Sequence, residues 1–176
     1  MKWGHQASHN FIINARSEEL LAKRTFVNMI NNRCVVVMEG YFEWKEKSEP
    51  YMFKPKNSDH FLVAALYSND NEVIILTKDA TKEIDCVHER MPVILSDEDV
   101  EVWLNPNNTK EIASILRNSL LKKDKEIWKN IGFTRLAPHV NSIKEKSKKC
   151  IMTYEEFKKE QDRTGIMRFF KKPQPV

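Results

Sequence analysis

Nowhere in these 176 residues does an apolar run approach the ~20 residues that a membrane-spanning helix needs. The opening Met1-Lys2-Trp3-Gly4-His5-Gln6 likewise lacks the apolar stretch of a secretory leader. No membrane partner is expected, and the chain reads as soluble and not secreted. Cysteine is scarce as well. Cys34, Cys86 and Cys150 are odd in number and lack C-x-x-C spacing, which argues against a disulfide framework and against a thiolate zinc site. A reducing compartment fits that usage, and neither a metal nor another cofactor is expected. Internal repeats are missing, and so is the regular strand-helix-strand alternation of a parallel sheet.

What is present suffices for a core. Hydrophobic residues make up 41% of the chain and aromatics 10%, with Trp3, Trp44, Trp103 and Trp128 spread along it, so general disorder is excluded. The length suits one compact domain, expected over residues 1–152, followed by a polar and basic tail over 153–176. A formal net charge of +4 is a mild basic excess that favours polyanions without identifying one.

Cys34 to Trp44 is rich in β-branched and aromatic residues and predicts one strand. Its alternation puts Cys34, Val36, Met38, Phe42 and Trp44 on one side and Glu39, Tyr41 and Glu43 on the other. Further strands are predicted at Tyr51–Lys54, Phe61–Tyr67, Val73–Thr77 and Val93–Leu95, with Asn, Asp and Ser turn chemistry between them. Ala80–His88 has helical spacing, with His88 near the helix end. Ser96 is expected to cap a helix whose apolar face is Val100, Trp103 and Leu104. Thr109 is expected to cap another, carrying Ile112, Ile115 and Leu116, and Tyr154–Gln161 reads as a polar helix or a linker. Cys34 and Cys86 lie in apolar patterns and are expected to be buried structural thiols. Hairpin-joined strands with interspersed helices point to an α+β fold with a mainly antiparallel, twisted sheet and flanking helices.

Three strings hold polar residues where packing would not ask for them: Asn14-Ala15-Arg16-Ser17-Glu18, Glu39-Gly40-Tyr41-Phe42-Glu43-Trp44, and His88-Glu89-Arg90-Met91-Pro92-Val93-Ile94-Leu95. Each has a purely structural reading. Asn14 serves a turn and Arg16 is a solvated charge; Glu43 lies on the wet face of an edge strand; His88 caps a helix C-terminus. Arg90 makes an internal salt bridge, and Trp3 fills the core.

Taken together, and with Trp3-Gly4, Arg33-Cys34, Pro50-Tyr51, Ala64–Tyr67, Ile75-Leu76-Thr77 and Val140-Asn141 in the same order, these strings closely resemble the SRAP family of abasic-site-crosslinking proteins. The resemblance implies a partly barrel-like SRAP sheet and a monomer that acts on single-stranded DNA containing abasic sites. The compartment would be the nucleus, or the nucleoid and cytoplasm of a bacterium. Family members use an N-terminal cysteine whose amine and thiol attack the ring-opened aldehyde of the abasic sugar, leaving a thiazolidine. By that resemblance Asn14 orients the nucleophilic terminus, Glu43 is a general acid/base, and His88 donates or accepts a proton nearby. A carboxyl against an apolar wall and an imidazole suit such work. Arg16 and Arg90 would face phosphates and Trp3 would stack on a base.

The sequence departs from the family in two places. Members begin Met-Cys-Gly-Arg, with several dozen residues before the Trp-Gly that stands here at positions three and four, so that portion and its cysteine are expected to be missing. Gly4-His5-Gln6-Ala7-Ser8 also replaces an apolar, proline-containing stretch. In the tail, Ile166 three positions before Phe169-Phe170, with Lys171 and Lys172 following, resembles the peptide that docks on the replication sliding clamp, although Arg163 stands where glutamine is expected. An ordinary amphipathic tail is the other reading.

Overall fold

The computed structural model of the chain describes residues 1–7, 10–112 and 128–170, the side chains of 109–111, 128 and 165–170 excepted. The chain divides into two compact units, one of residues 1–41 and 54–132, the other of 42–53 and 133–176. The second unit takes in the segment expected as a tail.

The first unit is organised by a seven-stranded sheet. Its hairpin is β8 (Phe61–Tyr67) and β9 (Glu72–Asp79), antiparallel with Leu66 opposite Ile74. β5 (Arg33–Met38) lies antiparallel beside β8, Cys34 facing Ala65. Between β8 and β9 the sheet opens and a third segment enters. β10 (Arg90–Pro92) pairs with β9 and β11 (Ile94–Leu95) with β8. At the junction Val93 N–H donates to Leu76 O, and Val93 O accepts from Ala64 N–H, both at 2.9 Å. The far edge of β9 carries two short parallel strands, β1 (Lys2–Trp3) and β4 (Asn14–Arg16). β2 (His5–Gln6) and β3 (Phe11–Ile12) form a small hairpin of their own.

Alternation puts Ala64, Leu66, Ile74, Leu76 and Ala15 on one face, where they join Leu20, Phe26, Val93, Leu95, Trp103 and Ile112 in a continuous core. Over that face lies α2 (Asp97–Leu104), begun by a reciprocal capping box between Ser96 and Asp99. Arg33 secures its other end. This guanidinium, 7% exposed, donates from Nε to Trp103 O (2.6 Å), from Nη1 to Ile30 O (2.7 Å) and from Nη2 to Asn105 O (2.6 Å). Trp103 in turn donates from its indole to Cys34 O.

In the second unit, β6 (Tyr41–Lys45) and β7 (Glu49–Pro55), of which Tyr41, Lys54 and Pro55 belong to the first, are joined through a turn in which Glu46 and Lys47 both have positive φ, 49° and 63°, the conformation of a tight hairpin. β12 (Ile131–Arg135) adds to β7. α3 (Tyr154–Phe170) begins with a Thr153–Glu156 capping box and lays Tyr154 under the Arg135 guanidinium, 4.0 Å from ring centroid to Cζ.

The α+β, mostly antiparallel architecture is the expected one, in open sheets and without a closed barrel. Phe61–Tyr67 is the expected strand without change, and Val73–Thr77 is extended at both ends. Five expectations fail. The single strand Cys34–Trp44 is broken at Glu39-Gly40, where glycine weakens a strand and the chain leaves one sheet for another. Ala80–His88 is a run of turns, closed by bonds such as Ile84 N–H to Thr81 O, because the segment is short and Thr81, Asp85, Cys86 and Val87 are poor helix formers. Cys86 is consequently exposed. Leu104 is 45% exposed, one position round the helix from buried Trp103. Thr109 sits inside the 3-10 turn Pro106–Glu111 and does not cap a helix; Ile115 and Leu116 lie outside the described residues.

Replacing Arg33 by Met keeps an apolar stem but strips Trp103 O and Ile30 O of their donor, while Asn105 O retains Asn108 N–H. A loss of about 3 kcal/mol is expected, since each unsatisfied buried group costs ~1–3 kcal/mol. Urea unfolding reads it directly; a loss below about 1 kcal/mol would show that water replaces the guanidinium at little cost.

Candidate nucleic-acid interface

The register of β9 decides which side chains meet. Asn14, Ala15 and Arg16 stand opposite Ile75, Leu76 and Thr77, and Trp3 stands opposite Val73. Since Ala15 and Leu76 point into the core, Trp3, Asn14 and Arg16 fall on the other face. Arg90 opposite Asp79, and Pro92 opposite Thr77, share it from the β10 edge. So four residues proposed from sequence for DNA or terminus contacts are gathered on one sheet face of the first unit.

Each is held differently. Trp3 is 55% exposed, yet its indole Nε1–H donates to Ile13 O at 3.0 Å, which fixes an exposed ring. Asn14 and Arg16 are exposed. The Arg90 guanidinium is engaged. Its Nη1 and Nη2 meet Glu18 Oε1 and Oε2 at 3.2 and 3.0 Å, a two-pronged contact, Nη1 donates also to Asp79, and Nη2 donates to Thr77 O at 2.9 Å. Only its buried Nε–H has no partner among the described residues. Thus the internal-salt-bridge reading of Arg90 describes its contacts, and its charge is offset by two carboxylates.

Burial is the largest single influence on Glu18 and pushes its carboxyl up, but the Arg90 hydrogen bond and charge, with backbone hydrogen bonds, outweigh it and hold the group below its ordinary value. Arg90 is correspondingly raised: burial opposes the cation, and Glu18 and Asp79 together favour it more strongly.

His88 precedes β10 and is half-buried. Its Nδ1 lies 3.1 Å from Arg90 N and 3.2 Å from Arg90 O. Glu43 lies on β6 in the second unit, half-buried, beside Trp44. That strand is braced by Asn141, whose Oδ1 accepts from the Trp44 indole at 2.7 Å and whose Nδ2 donates to Ser48 O at 3.0 Å. Sequence reasoning quoted Glu18 and Thr77 but gave them no role, and missed Asp79 altogether. The signal was the strand register, which places position 79 beside position 90.

Cys34 is half-buried in β5 and burial pushes its thiol up, away from the reactive thiolate. The tail residues Ile166, Phe169 and Phe170 fall on the helical backbone of α3, their side chains outside the described residues. Among the described residues no cluster of three or more His, Cys, Asp or Glu side chains could hold a metal ion, and no helix is long and apolar enough to cross a membrane.

The fold recurs in solved structures. A protein of Bacteroides thetaiotaomicron superposes with a TM-score of 0.65 at 25% identity, covering 81% of this chain and 66% of that one. One from Bordetella bronchiseptica gives 0.58 at 21% identity, over 74% and 68%. The family model described as SOS response associated peptidase (SRAP) matches residues 1–143, and the chain belongs to that family. It is similar to abasic site processing protein YoqW of Bacillus subtilis, 35% identical over 111 residues, covering 56% of this chain and 50% of YoqW. It is also similar to abasic site processing protein HMCES of Gallus gallus, 25% identical over 177 residues, covering 81% of this chain and 50% of HMCES. The chain spans about half the length of these curated relatives.

A carboxyl held below its unfolded value adds stability above that value and loses it as pH falls through the lower folded one. With 4.5 as the ordinary value for Glu18, acidification should cost the native chain more than a Glu18→Gln variant. The comparison is of urea midpoints at about pH 6 and about pH 3. Equal losses in the two proteins would mean that the Glu18–Arg90 contact carries no stability.

Proposed function

We propose that this chain senses abasic sites in single-stranded DNA as part of the DNA damage response, in a nucleus or a bacterial nucleoid. The family match over residues 1–143 and the names of the relatives support the reading. The observation that carries it is the β9 register, which gives Trp3, Asn14 and Arg16 a common face turned away from the core. A fixed indole serves a nucleobase of any identity, and a free guanidinium serves a phosphate, the two contacts that hold an unpaired strand without reading its sequence. Arg16 is the principal phosphate ligand in this reading. Arg90 is the weaker one, because Glu18 and Asp79 already offset its charge.

By family resemblance Asn14 orients the attacking terminus, Glu43 acts as general acid/base and His88 donates or accepts a proton nearby. The chemistry begins when an amine attacks the open-chain aldehyde and expels water, giving an imine. A thiol on the same residue then adds to the imine carbon and closes the ring. The three cysteines of residues 1–176 stand at 34, 86 and 150. A second reading is that the chain holds abasic DNA without forming a stable crosslink. A third reading is a non-catalytic scaffold that uses its tail.

The polypeptide is expected to bind a single-stranded abasic oligonucleotide with an affinity that falls steeply with salt and is weakened further by Arg16→Ala. Covalent trapping should need borohydride, and an upstream segment beginning with cysteine should give a heat-stable adduct. No binding to any oligonucleotide would leave only the scaffold reading. A reductant-free adduct mapped to Cys34, Cys86 or Cys150 would overturn the assignment of the nucleophile.

The clamp contact through Ile166, Phe169 and Phe170 is proposed from the sequence pattern alone. One aliphatic and two aromatic anchors can fill an apolar pocket despite Arg163. Calorimetry of the full chain with a sliding clamp should show binding that Phe169→Ala with Phe170→Ala abolishes; heat-silent titrations at high concentration would remove this partner.

A further inference from the structure

The inference rests on the reading of His88 as a site residue and concerns what fixes that imidazole. We propose that Glu18 is a positioning residue for His88, acting through Arg90, so that the neutral imidazole carries its proton on Nε2.

The chain of contacts runs across the end of β9. Val93 N–H donates to Leu76 O at one edge, while Ile75 N–H donates to Ile13 O at the other, so even-numbered residues of β9 address the β10 side and odd-numbered ones the β4 side. Thr77 O therefore opens on the β4 side, just where β4 ends at Arg16. Arg90 starts from the β10 side and reaches that carbonyl, where Glu18, two residues beyond β4, closes on it with both oxygens. A three-residue strand has few ladder bonds of its own, and Arg90 is its first residue. Anchoring the guanidinium at the far edge keeps this end of β10 from fraying. What is thereby fixed is the Arg90 backbone, which His88 Nδ1 faces.

That backbone selects the tautomer. Arg90 N–H points at Nδ1 from 3.1 Å, and a main-chain N–H is a donor at every pH. A neutral ring protonated on Nδ1 would set two hydrogens against each other there. Accepting at Nδ1 removes the conflict and leaves the proton on Nε2. Arg90 O, 3.2 Å from the same nitrogen, could accept an Nδ1–H only at the cost of the bond from Arg90 N–H. Neutral His88 is thus a hydrogen-bond donor through Nε2.

Long-range proton–nitrogen NMR on the nitrogen-15-labelled chain 1–176, at about pH 8 where an ordinary histidine is neutral, reads this without DNA. His88 should show a pyridine-type Nδ1 and a pyrrole-type Nε2. In Glu18→Gln, and in Asp79→Asn as a second variant should the first fold poorly, the two nitrogen shifts should move toward each other as the tautomers mix. A pyridine-type Nε2 in the unsubstituted chain, or unchanged His88 nitrogens in both folded variants, would overturn the proposal. Loss of DNA binding with the expected His88 spectrum would instead count against the site reading, so the two failures are distinguishable.

Discussion

Insertion of residues 90–95 between β8 and β9 is the constraint on which the rest of the first unit depends. The hairpin pairs only from Ala65 to Tyr67 with Val73 to Ile75 before its strands part. Without a filler the diverging edges would leave backbone donors and acceptors unpaired beside a buried core, at a cost comparable to losing each bond. Val93 fills the opening with one donor and one acceptor, and Met91, Val93, Ile94 and Leu95, each under a tenth exposed, bring the apolar surface that holds the insertion there. The chain has no choice about where His88 and Arg90 then lie: they enter the sheet at its open end, opposite the last residues of β9.

The two engaged arginines of this unit illustrate how partner type divides structure from site. Arg33 donates to three carbonyls and lies over the Trp103 ring, so backbone dipoles solvate a buried cation, and burial lowers its pKa from the ordinary value. Such an arrangement ties the end of α2 to β5. Arg90 meets two carboxylates at the sheet's end, and its pKa is raised. A polyanion approaching this face meets Arg16 as an open charge and Arg90 as a compensated one, which makes the two guanidinium groups inequivalent although the sequence presents them as a matched pair.

Much of the fold was legible because apolar alternation and turn residues agree with the sheet that forms. Phe61–Tyr67, bounded by Asn, Asp and Ser, is buried on both faces and pairs on both edges. Ser96 announced its helix because a capping residue followed at the third position by a carboxylate is a local device that tertiary context rarely overrides. The failures are places where distant contacts decide. Nothing within Cys34 to Trp44 says that residues on either side of Gly40 belong to different sheets, since both halves alternate correctly. Ala80–His88 has helical spacing, but buried Ile84 and Val87 also satisfy a chain of turns that must deliver Glu89 to Ala80 N–H. In the first unit, Asn14, Arg16, His88 and Arg90 were named from motif resemblance; the pairing of Arg90 with Glu18 was invisible, because 72 positions separate them and only the parallel entry of β4 brings them together.

The segment after Trp3 departs from the family's apolar, proline-containing pattern, yet the indole it must position is well held. Gly4 has φ of 101°, a backbone conformation that favours glycine, and a β-carbon there would lie 2.1 Å from Phe11 Cζ and displace that ring. With the ring laid against it, Gly4 N–H reaches Val73 O at 2.9 Å and continues the parallel pairing begun by Lys2 and Trp3. His5 Nδ1 then meets Glu72 Oε2 at 2.7 Å, its hydrogen bond the main influence holding that carboxyl below the ordinary range, and ties the β2–β3 hairpin to the start of β9. Ile13, on the return strand, accepts the Trp3 Nε1–H. A short hairpin with one glycine, one aromatic ring and one imidazole–carboxylate hydrogen bond therefore fixes Trp3 against β9 on the Asn14 face.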